Sequence, residues 1–272
     1  MKENKIMFSI PKDARDTWIN PDTSADILAT FIDNKGRKQY RYNSKVLKRG
    51  AKEKFKRAER LGRNITRIRN RIEDDLARRR MSRPKVVALI VKLIDLGCFR
   101  VGTEKYSIEN GTFGISTINK GHISFADGAA RFEFVGKKGV EWDVQITDPV
   151  CINNLQILYN LSGNGDNRLF IFEERGQIKV INRDMINRYL DKYGVTAKDF
   201  RTYHATRICA EELHNMGAAK TKKDIRKNIS TAIDITAKTL GHTPSVCRSS
   251  YINPRVIKSY QNGDLDKLRR HF

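Results

Sequence analysis

The spacing of hydrophobic and polar positions changes several times along the chain, and each change marks an element. Over the first 43 residues, short apolar stretches are broken by Pro11, Pro21 and the turn signal Asp33-Asn34-Lys35-Gly36. This predicts a small β-rich module ending in Gly36-Arg37-Lys38-Gln39-Tyr40-Arg41-Tyr42. The spacing then becomes helical from Ser44 to about Leu61 and again from Asn64 to Arg80. Ser82-Arg83-Pro84 reads as a linker and a helix start, because proline suits the first helical turn. Lys85 to Leu96 predicts a buried helix stopped at Gly97. Three strand-like runs follow: Gly114–Ile118, Ala130–Val135 and Val140–Ile146. The last two alternate apolar with polar residues across the connection Gly136-Lys137-Lys138-Gly139, which predicts a β-hairpin. The remainder is mainly helical, at about 148–161, 184–193, 198–215, 222–240 and a short helix over Val246 to Tyr251. The fold class expected is α+β, with a small β-rich N-terminal domain over residues 1–80 and a larger, mainly α domain with a small antiparallel sheet over 81–272.

A chain of 272 residues is long enough for two such domains at the usual ~150 residues each. Its 53 basic against 31 acidic residues leave a net charge of +22, carried on a composition apolar enough to fold. Between Lys45 and Lys85 there are 17 basic and five acidic residues, too one-signed for i,i+4 pairs to neutralise. Tyr40, Tyr42 and Phe55 stand at or near the start of that stretch, so a polyanion is favoured over a merely soluble surface. The longest apolar run, Val86–Val91, falls far short of the ~20 residues of a membrane span. The opening MKENKIMFSIP has no apolar secretion segment, so the chain is expected not to be secreted but cytosolic or, in a host cell, nuclear or viral.

Several chemistries fit poorly. Cys98, Cys151, Cys209 and Cys247 are too irregularly spaced for a metal knuckle and read as reduced thiols. Gly163-Asn164-Gly165 lacks the lysine of a nucleotide-binding loop, so ATP use is not expected. The tight acidic group Glu73-Asp74-Asp75 sits in a basic helix where pairing with arginine is favoured over two-metal catalysis. No cofactor and no metal are expected. What remains is a set of cations at ordered places: Arg100 after the Gly97 stop, Lys137 at a hairpin tip and Arg201 near a helix start. To these are added His242 in Gly241-His242-Thr243-Pro244-Ser245 and Tyr251 nine positions later. Each has an ordinary structural explanation taken alone: a cap, a solvated tip, a turn histidine or a core tyrosine.

Taken together and in order, these segments resemble the type IB DNA topoisomerases, most closely the small poxvirus-like and bacterial forms, over most of the chain. Phe99-Arg100-Val101-Gly102-Thr103-Glu104-Lys105-Tyr106 is similar to that family's first-arginine segment, and Phe134-Val135-Gly136-Lys137 to its hairpin lysine motif. Phe200-Arg201-Thr202-Tyr203 is similar to the second-arginine motif, and Leu240–Ser245 to the histidine motif with its nucleophilic tyrosine, here Tyr251. Gly36–Tyr40 resembles a DNA-contacting strand.

The resemblance implies a tyrosine recombinase/type IB topoisomerase-like catalytic core in a monomer that clamps double-stranded DNA. Tyr251 would attack a phosphodiester to give a 3′-phosphotyrosyl link, after which the strand swivels and is resealed without ATP or metal. Arg100 and Arg201 would stabilise the charged phosphorus centre, His242 would donate one more hydrogen bond, and Lys137 would protonate the leaving 5′-oxygen, with help from Arg100. Arg37, Lys38, Tyr40, Tyr42, Lys105 and Tyr106 would contact DNA, and the basic 45–85 segment would line the DNA-facing side or lead into the linker. The rival tyrosine recombinases usually carry His-x-x-Arg at the second arginine, whereas here Lys198 stands three before Arg201, and Phe99-Arg100-Val101-Gly102 does not match their first-arginine helix. A basic DNA-binding protein without catalysis is the other alternative. His204, one helical turn after Arg201, departs from the family pattern and is read as packing or as a phosphate contact.

Overall fold

The computed structural model describes residues 8–161 and 168–265, so Gly163-Asn164-Gly165 lies outside the described residues. The chain forms two compact units, Met1–Lys54 and Phe55–Phe272. The division falls inside a helix and not at the Ser82-Arg83-Pro84 linker that the sequence points to. The two stretches expected as separate helices are one, α1 (Ser44–Leu76), because Gly62-Arg63 carries no breaker strong enough to end it.

In the first unit, β1 (Arg15–Ile19), β2 (Ile27–Ile32) and β3 (Lys38–Tyr42) form an antiparallel sheet in sequence order. Gly36, at φ +71°, closes the β2–β3 turn, and the Asp33 carboxylate accepts from the backbone N–H groups of Lys35 and Arg37. Asp16, at φ 49°, makes an irregularity in β1, so Arg15 pairs with Ile32 while Trp18, three residues on, pairs with Thr30. Thr30 in turn pairs with Tyr40. Cross-strand partners project to one face, so Trp18, Thr30 and Tyr40 form a row.

The second unit is built around α2 (Arg83–Gly97), whose residues from Val86 to Val91 are all buried. A helix apolar on every side must be covered on every side. Packed with it in one core are α1 through Leu61, Ile68 and Ile72, the sheet of β4 (Ile123–Ala126), β5 (Ala129–Val135) and β6 (Glu141–Ile146), and α4 (Pro149–Leu161). The hairpin β7 (Ile171–Glu174)–β8 (Gln177–Val180) and α5 (Arg183–Leu190) belong to the same core. A second core joins the later part of α6 (Ala197–Asn215) to α7 (Lys222–Leu240), α8 (Pro244–Ser250) and α9 (Pro254–Asn262). Helix α6 runs through both, with Phe200 and Tyr203 in the first core and Ala205, Cys209 and Leu213 in the second. All four cysteines are buried free thiols. No helix among the described residues is long and apolar enough to cross a membrane.

Two sequence expectations need correction. Gly114–Ile118 is not a strand but a 3₁₀ turn at Ile115–Thr117, held where the Thr117 hydroxyl accepts from Gly114 N–H at 3.0 Å. A Cβ on Gly114 would sit 2.4 Å from the Gly102 nitrogen, and only two glycines allow the backbones to approach so closely. The basic 45–85 segment is also less free than its charge implies. Arg57 pairs with Asp199, Arg60 donates to the Gly194 carbonyl, Arg69 pairs with Asp95, and Arg71 and Arg78 both pair with Asp75. Arg57, Arg60 and Arg69 thereby fasten α1 to the rest of its unit, while Arg71 and Arg78 serve Asp75 on α1 itself; Asp75, Asp95 and Asp199 are buried carboxylates that need cations. Glu73 pairs with Lys92, so two of the three carboxylates in Glu73-Asp74-Asp75 are engaged in ion pairs.

Candidate active site

Each of the cations singled out in the second unit sits where an element ends. Helix α2 stops at Gly97, Cys98 takes a left-handed conformation at φ 53°, and the chain that follows buries Phe99 in the first core and sets Arg100 beside Tyr251. That segment is pinned by Ile115 N–H to Arg100 O and Ser116 N–H to Val101 O, both 2.8 Å. Phe99 packs on Phe132, Phe134 and Trp142 at centroid distances of 5.2, 6.0 and 5.5 Å, an aromatic floor supplied by β5 and β6.

Arg201 lies on the first turns of α6 and is 2% exposed. Among the described residues no carboxylate pairs with it. Its Nη1 donates to the Cys98 carbonyl, its Nη2 donates to the Leu240 carbonyl at 2.5 Å, and the guanidinium stands 5.7 Å from the centroid of the Trp142 ring. Both carbonyls belong to helix C-termini, those of α2 and α7, where unpaired carbonyls and the negative dipole end collect. A buried cation is thus held by helix ends while its charge stays uncancelled. Burial and the nearby Arg100 push its pKa down to about 10, so it remains cationic at neutral pH.

The histidine motif is a helix stop followed at once by a helix start. Gly241, at φ 60°, ends α7 with His242 N–H donating to Ala237 O at 2.9 Å and Gly241 N–H to Lys238 O at 3.2 Å. Thr243 then caps α8 through its side chain, with Pro244 in the first turn. His242 is fixed between the two. Arg201 Nη2 lies 2.9 Å from His242 Nε2, and since a guanidinium can only donate, Nε2 accepts and the neutral ring carries its proton on Nδ1. Burial, with Arg201 and Arg100 nearby, drives the imidazole pKa down to about 3.

Tyr251 ends α8, its ring 4.1 Å from that of His242 and 5.8 Å from the Arg201 guanidinium carbon. Its backbone is held by Thr206 of α6, whose hydroxyl donates to Tyr251 O at 3.2 Å and accepts from Asn253 N–H at 3.1 Å. Burial pulls the Arg100 pKa below its ordinary value, and the neighbouring Tyr251 phenol opposes that. Three buried nitrogens, Arg100 Nη1, Arg201 Nε and His242 Nδ1, find no hydrogen-bond partner among the described residues. Donors of this kind grouped around a phenol make a site for an anion carrying more than one oxygen.

Lys137 is exposed at the β5–β6 tip, which is shaped by Lys138 at φ 66° and Gly139 at φ 74°. The tip end of the same hairpin meets the site, since a Cβ on Gly241 would fall 3.1 Å from Val140 Cγ1 and 3.4 Å from Trp142 Cζ2. The second unit therefore brings together Arg100, Arg201, His242 and Tyr251, with Lys137 on a hairpin anchored beside them.

The expected DNA contacts fall on both units. Lys38, Tyr40 and Tyr42 are exposed along alternate positions of β3, with the two tyrosine rings stacked at 6.0 Å and the Lys38 ammonium 5.8 Å from the centre of the Tyr40 ring. Arg37 holds the Asp33 carboxylate, whose pKa falls to about 2 through hydrogen bonds from Arg37. Lys105 and Tyr106 are exposed on α3 (Glu104–Asn110), just after the first-arginine segment. Sequence reading missed Trp18, which is 49% exposed in the Tyr40 row, and Trp142 beneath Arg201. Neither has a local signal, because one depends on strand register and the other on packing between elements.

Comparison with known families decides the identity. The family described as eukaryotic DNA topoisomerase I, catalytic core, matches residues 43–270. The chain belongs to the type IB DNA topoisomerases. Among relatives, it is 31% identical over 264 residues to DNA topoisomerase 1B of Acanthamoeba polyphaga mimivirus, covering 93% of this chain and 78% of that protein. It is 26% identical over 256 residues to DNA topoisomerase 1 of Rabbit fibroma virus (strain Kasza), covering 92% of this chain and 78% of the relative. A 29% match to DNA topoisomerase 1 of Mycosarcoma maydis covers 57% of this chain and 17% of that longer protein. This topoisomerase is accordingly a member of an enzyme family, the isomerases of DNA topology, and its mainly helical second unit with small antiparallel sheets is the fold expected of that catalytic core.

Proposed function

We propose that this topoisomerase relaxes supercoiled duplex DNA by cutting one strand through Tyr251, allowing it to swivel, and resealing it. The observation that carries the reading is the set of unpartnered buried donors, Arg100 Nη1, Arg201 Nε and His242 Nδ1, around a phenol. In the first step a bond forms between the Tyr251 oxygen and phosphorus as the bond from phosphorus to the 5′-oxygen breaks. The phenol gives up its proton and the 5′-oxygen gains one. Charge gathers on the non-bridging oxygens, and the two guanidinium groups meet it, that of Arg201 from a position shielded from water.

His242 serves as a phosphate ligand and not as the base, because its Nε2 lone pair is taken by Arg201 and its remaining donor is Nδ1–H. Lys137 delivers the proton to the leaving oxygen from the hairpin tip. Because the phosphotyrosyl link conserves the energy of the cleaved bond, resealing needs neither ATP nor a metal ion. DNA is held through the aromatic and basic face of β3, with Arg37, Lys38, Tyr40 and Tyr42, and through Lys105 and Tyr106 on α3. Strand exchange between duplexes, as in the recombinases, is the lesser reading, since Lys198 stands where those enzymes usually have histidine.

Incubation of the chain with supercoiled plasmid in EDTA and without nucleotide tests this directly. Relaxed topoisomers and a protein–DNA adduct are expected, and both should vanish in Tyr251→Phe while duplex binding stays within about twofold, since a single oxygen is lost. Adduct persisting in Tyr251→Phe would show that another residue is the nucleophile. A folded wild-type protein that binds but never relaxes plasmid would leave the non-catalytic reading.

A further inference from the structure

We propose that His204 is a positioning residue for this reaction, acting with Asp95 and Arg69 to hold the end of α2 against α6 so that Arg100 and Arg201 keep one fixed separation. The inference rests on the reading of those two arginines as donors to the scissile phosphate.

His204 is 7% exposed, and its Nε2 lies 2.8 Å from Asp95 Oδ1. An ionised carboxylate only accepts, so Nε2 carries the proton. That nitrogen is committed to Asp95, and the ring packs edge-on against Tyr203 at 5.1 Å, which makes His204 a tie within the fold and not a phosphate contact. From α1, Arg69 Nε donates to Asp95 Oδ2 at 2.8 Å and Arg69 Nη2 to Oδ1 at 3.3 Å. Three helices therefore meet at one buried carboxylate. Burial alone would raise the Asp95 pKa, but the hydrogen bonds from His204 and Arg69 outweigh it and hold the carboxyl below its ordinary value.

The place of this junction gives it a role in catalysis. Asp95 precedes Cys98 by one helical turn and Arg100 by five residues, and His204 follows Arg201 by one turn. The same two segments are also joined directly, by Arg201 Nη1 donating to Cys98 O. There are thus two ties between the end of α2 and the start of α6. Were the Arg201 tie alone, one guanidinium would have to hold the helices together and also turn toward a phosphate as charge develops there. The Asp95–His204 tie takes the mechanical load and leaves Arg201 Nε unpartnered for the anion. A displacement of about 1 Å between the two arginines would forfeit up to ~100-fold in rate.

The test is single-turnover adduct formation on a duplex oligonucleotide that the wild-type enzyme cleaves, with His204→Leu and His204→Gln. Glutamine restores a donor at similar reach. His204→Leu should slow cleavage by about 10- to 100-fold with DNA affinity within about twofold, and His204→Gln should recover to within about threefold of wild type. On a substrate whose scissile phosphate is a methylphosphonate, one non-bridging charge is gone, and the His204→Leu defect should shrink to under about threefold. On a substrate with a bridging 5′-sulfur, which needs no proton donor, the defect should persist.

An undiminished defect on the methylphosphonate, loss of DNA affinity in step with rate, or a glutamine variant as slow as leucine would each overturn the positioning role. Should His204→Leu fail to fold, Arg69→Gln loosens the same carboxylate from the surface side and must show the same substrate pattern at smaller amplitude. An Arg100 variant that also keeps its full defect on the methylphosphonate would overturn the phosphate reading beneath the proposal, and the two failures are told apart in that way.

Discussion

Arg100→Met separates catalytic from structural use of a half-buried cation. Arg100 Nη1 has no partner among the described residues, burial lowers the Arg100 pKa, and the Arg100 charge in turn lowers the pKa of Arg201. In the absence of DNA the guanidinium is therefore desolvated, incompletely bonded and beside a like charge. An unsatisfied buried donor costs about 1–3 kcal/mol, and methionine keeps an unbranched stem of similar reach while removing both donor and charge. Stability should hold or rise by up to ~2 kcal/mol, and each kcal/mol moves the melting temperature of a unit this size by about 2–4 °C. Losing one preorganised donor to an oxyanion removes about 2.7–4 kcal/mol of transition-state stabilisation, or ~100- to 1,000-fold in rate. The assays are a thermal melt of the free protein and single-turnover adduct formation at saturating enzyme. A melting temperature lowered by more than about 4 °C would mean Arg100 braces the fold, and cleavage within about tenfold of wild type would mean it does not face the phosphate.

Lys137→Ala should leave the melting temperature unchanged, since the side chain is exposed, yet slow cleavage by about 100-fold or more; a bridging 5′-sulfur substrate should restore most of the rate, and no restoration would remove the acid role. Gly241→Ala and Gly36→Ala each place a side chain at positive φ, +60° and +71°, but only at Gly241 would the Cβ meet neighbours, Val140 and Trp142. Both should lose about 1–2 kcal/mol, and Gly241→Ala alone should also slow cleavage, so equal activities would count against close packing of the tip end of the hairpin on the histidine turn. His242, with a folded pKa of about 3 against an ordinary 6.5, stays neutral while the unfolded chain takes up a proton, so its contribution to stability is present above pH 6.5 and falls as the pH drops from there toward 3. His242→Asn should therefore lose less melting temperature between pH 7 and pH 5 than the wild type, and parallel losses would contradict the buried neutral ring.

Much of the site is written locally. Gly241-His242-Thr243-Pro244 encodes a left-handed stop, a side-chain cap and a proline start in four consecutive residues, and alternation on either side of Gly136–Gly139 encodes the lysine hairpin. Such features depend on neighbours a few positions apart, so sequence by itself determined them, together with the family resemblance that runs through Arg100, Lys137, Arg201, His242 and Tyr251. The positive charge was equally plain, but its use was not. Which arginines of α1 meet Asp95 and Asp199, and are thereby kept from a polyanion, follows from contacts between residues far apart in the chain.

Tertiary structure alone decided that Arg201 rests on two helix ends, that Trp142 lies beneath it, that Trp18 shares a row with Tyr40, and that His204 reaches Asp95. The physical reason is common to all four. Spacing along a strand or helix fixes the direction in which a side chain leaves its own element, but the partner it meets is set by how separate elements pack, and no local pattern records that.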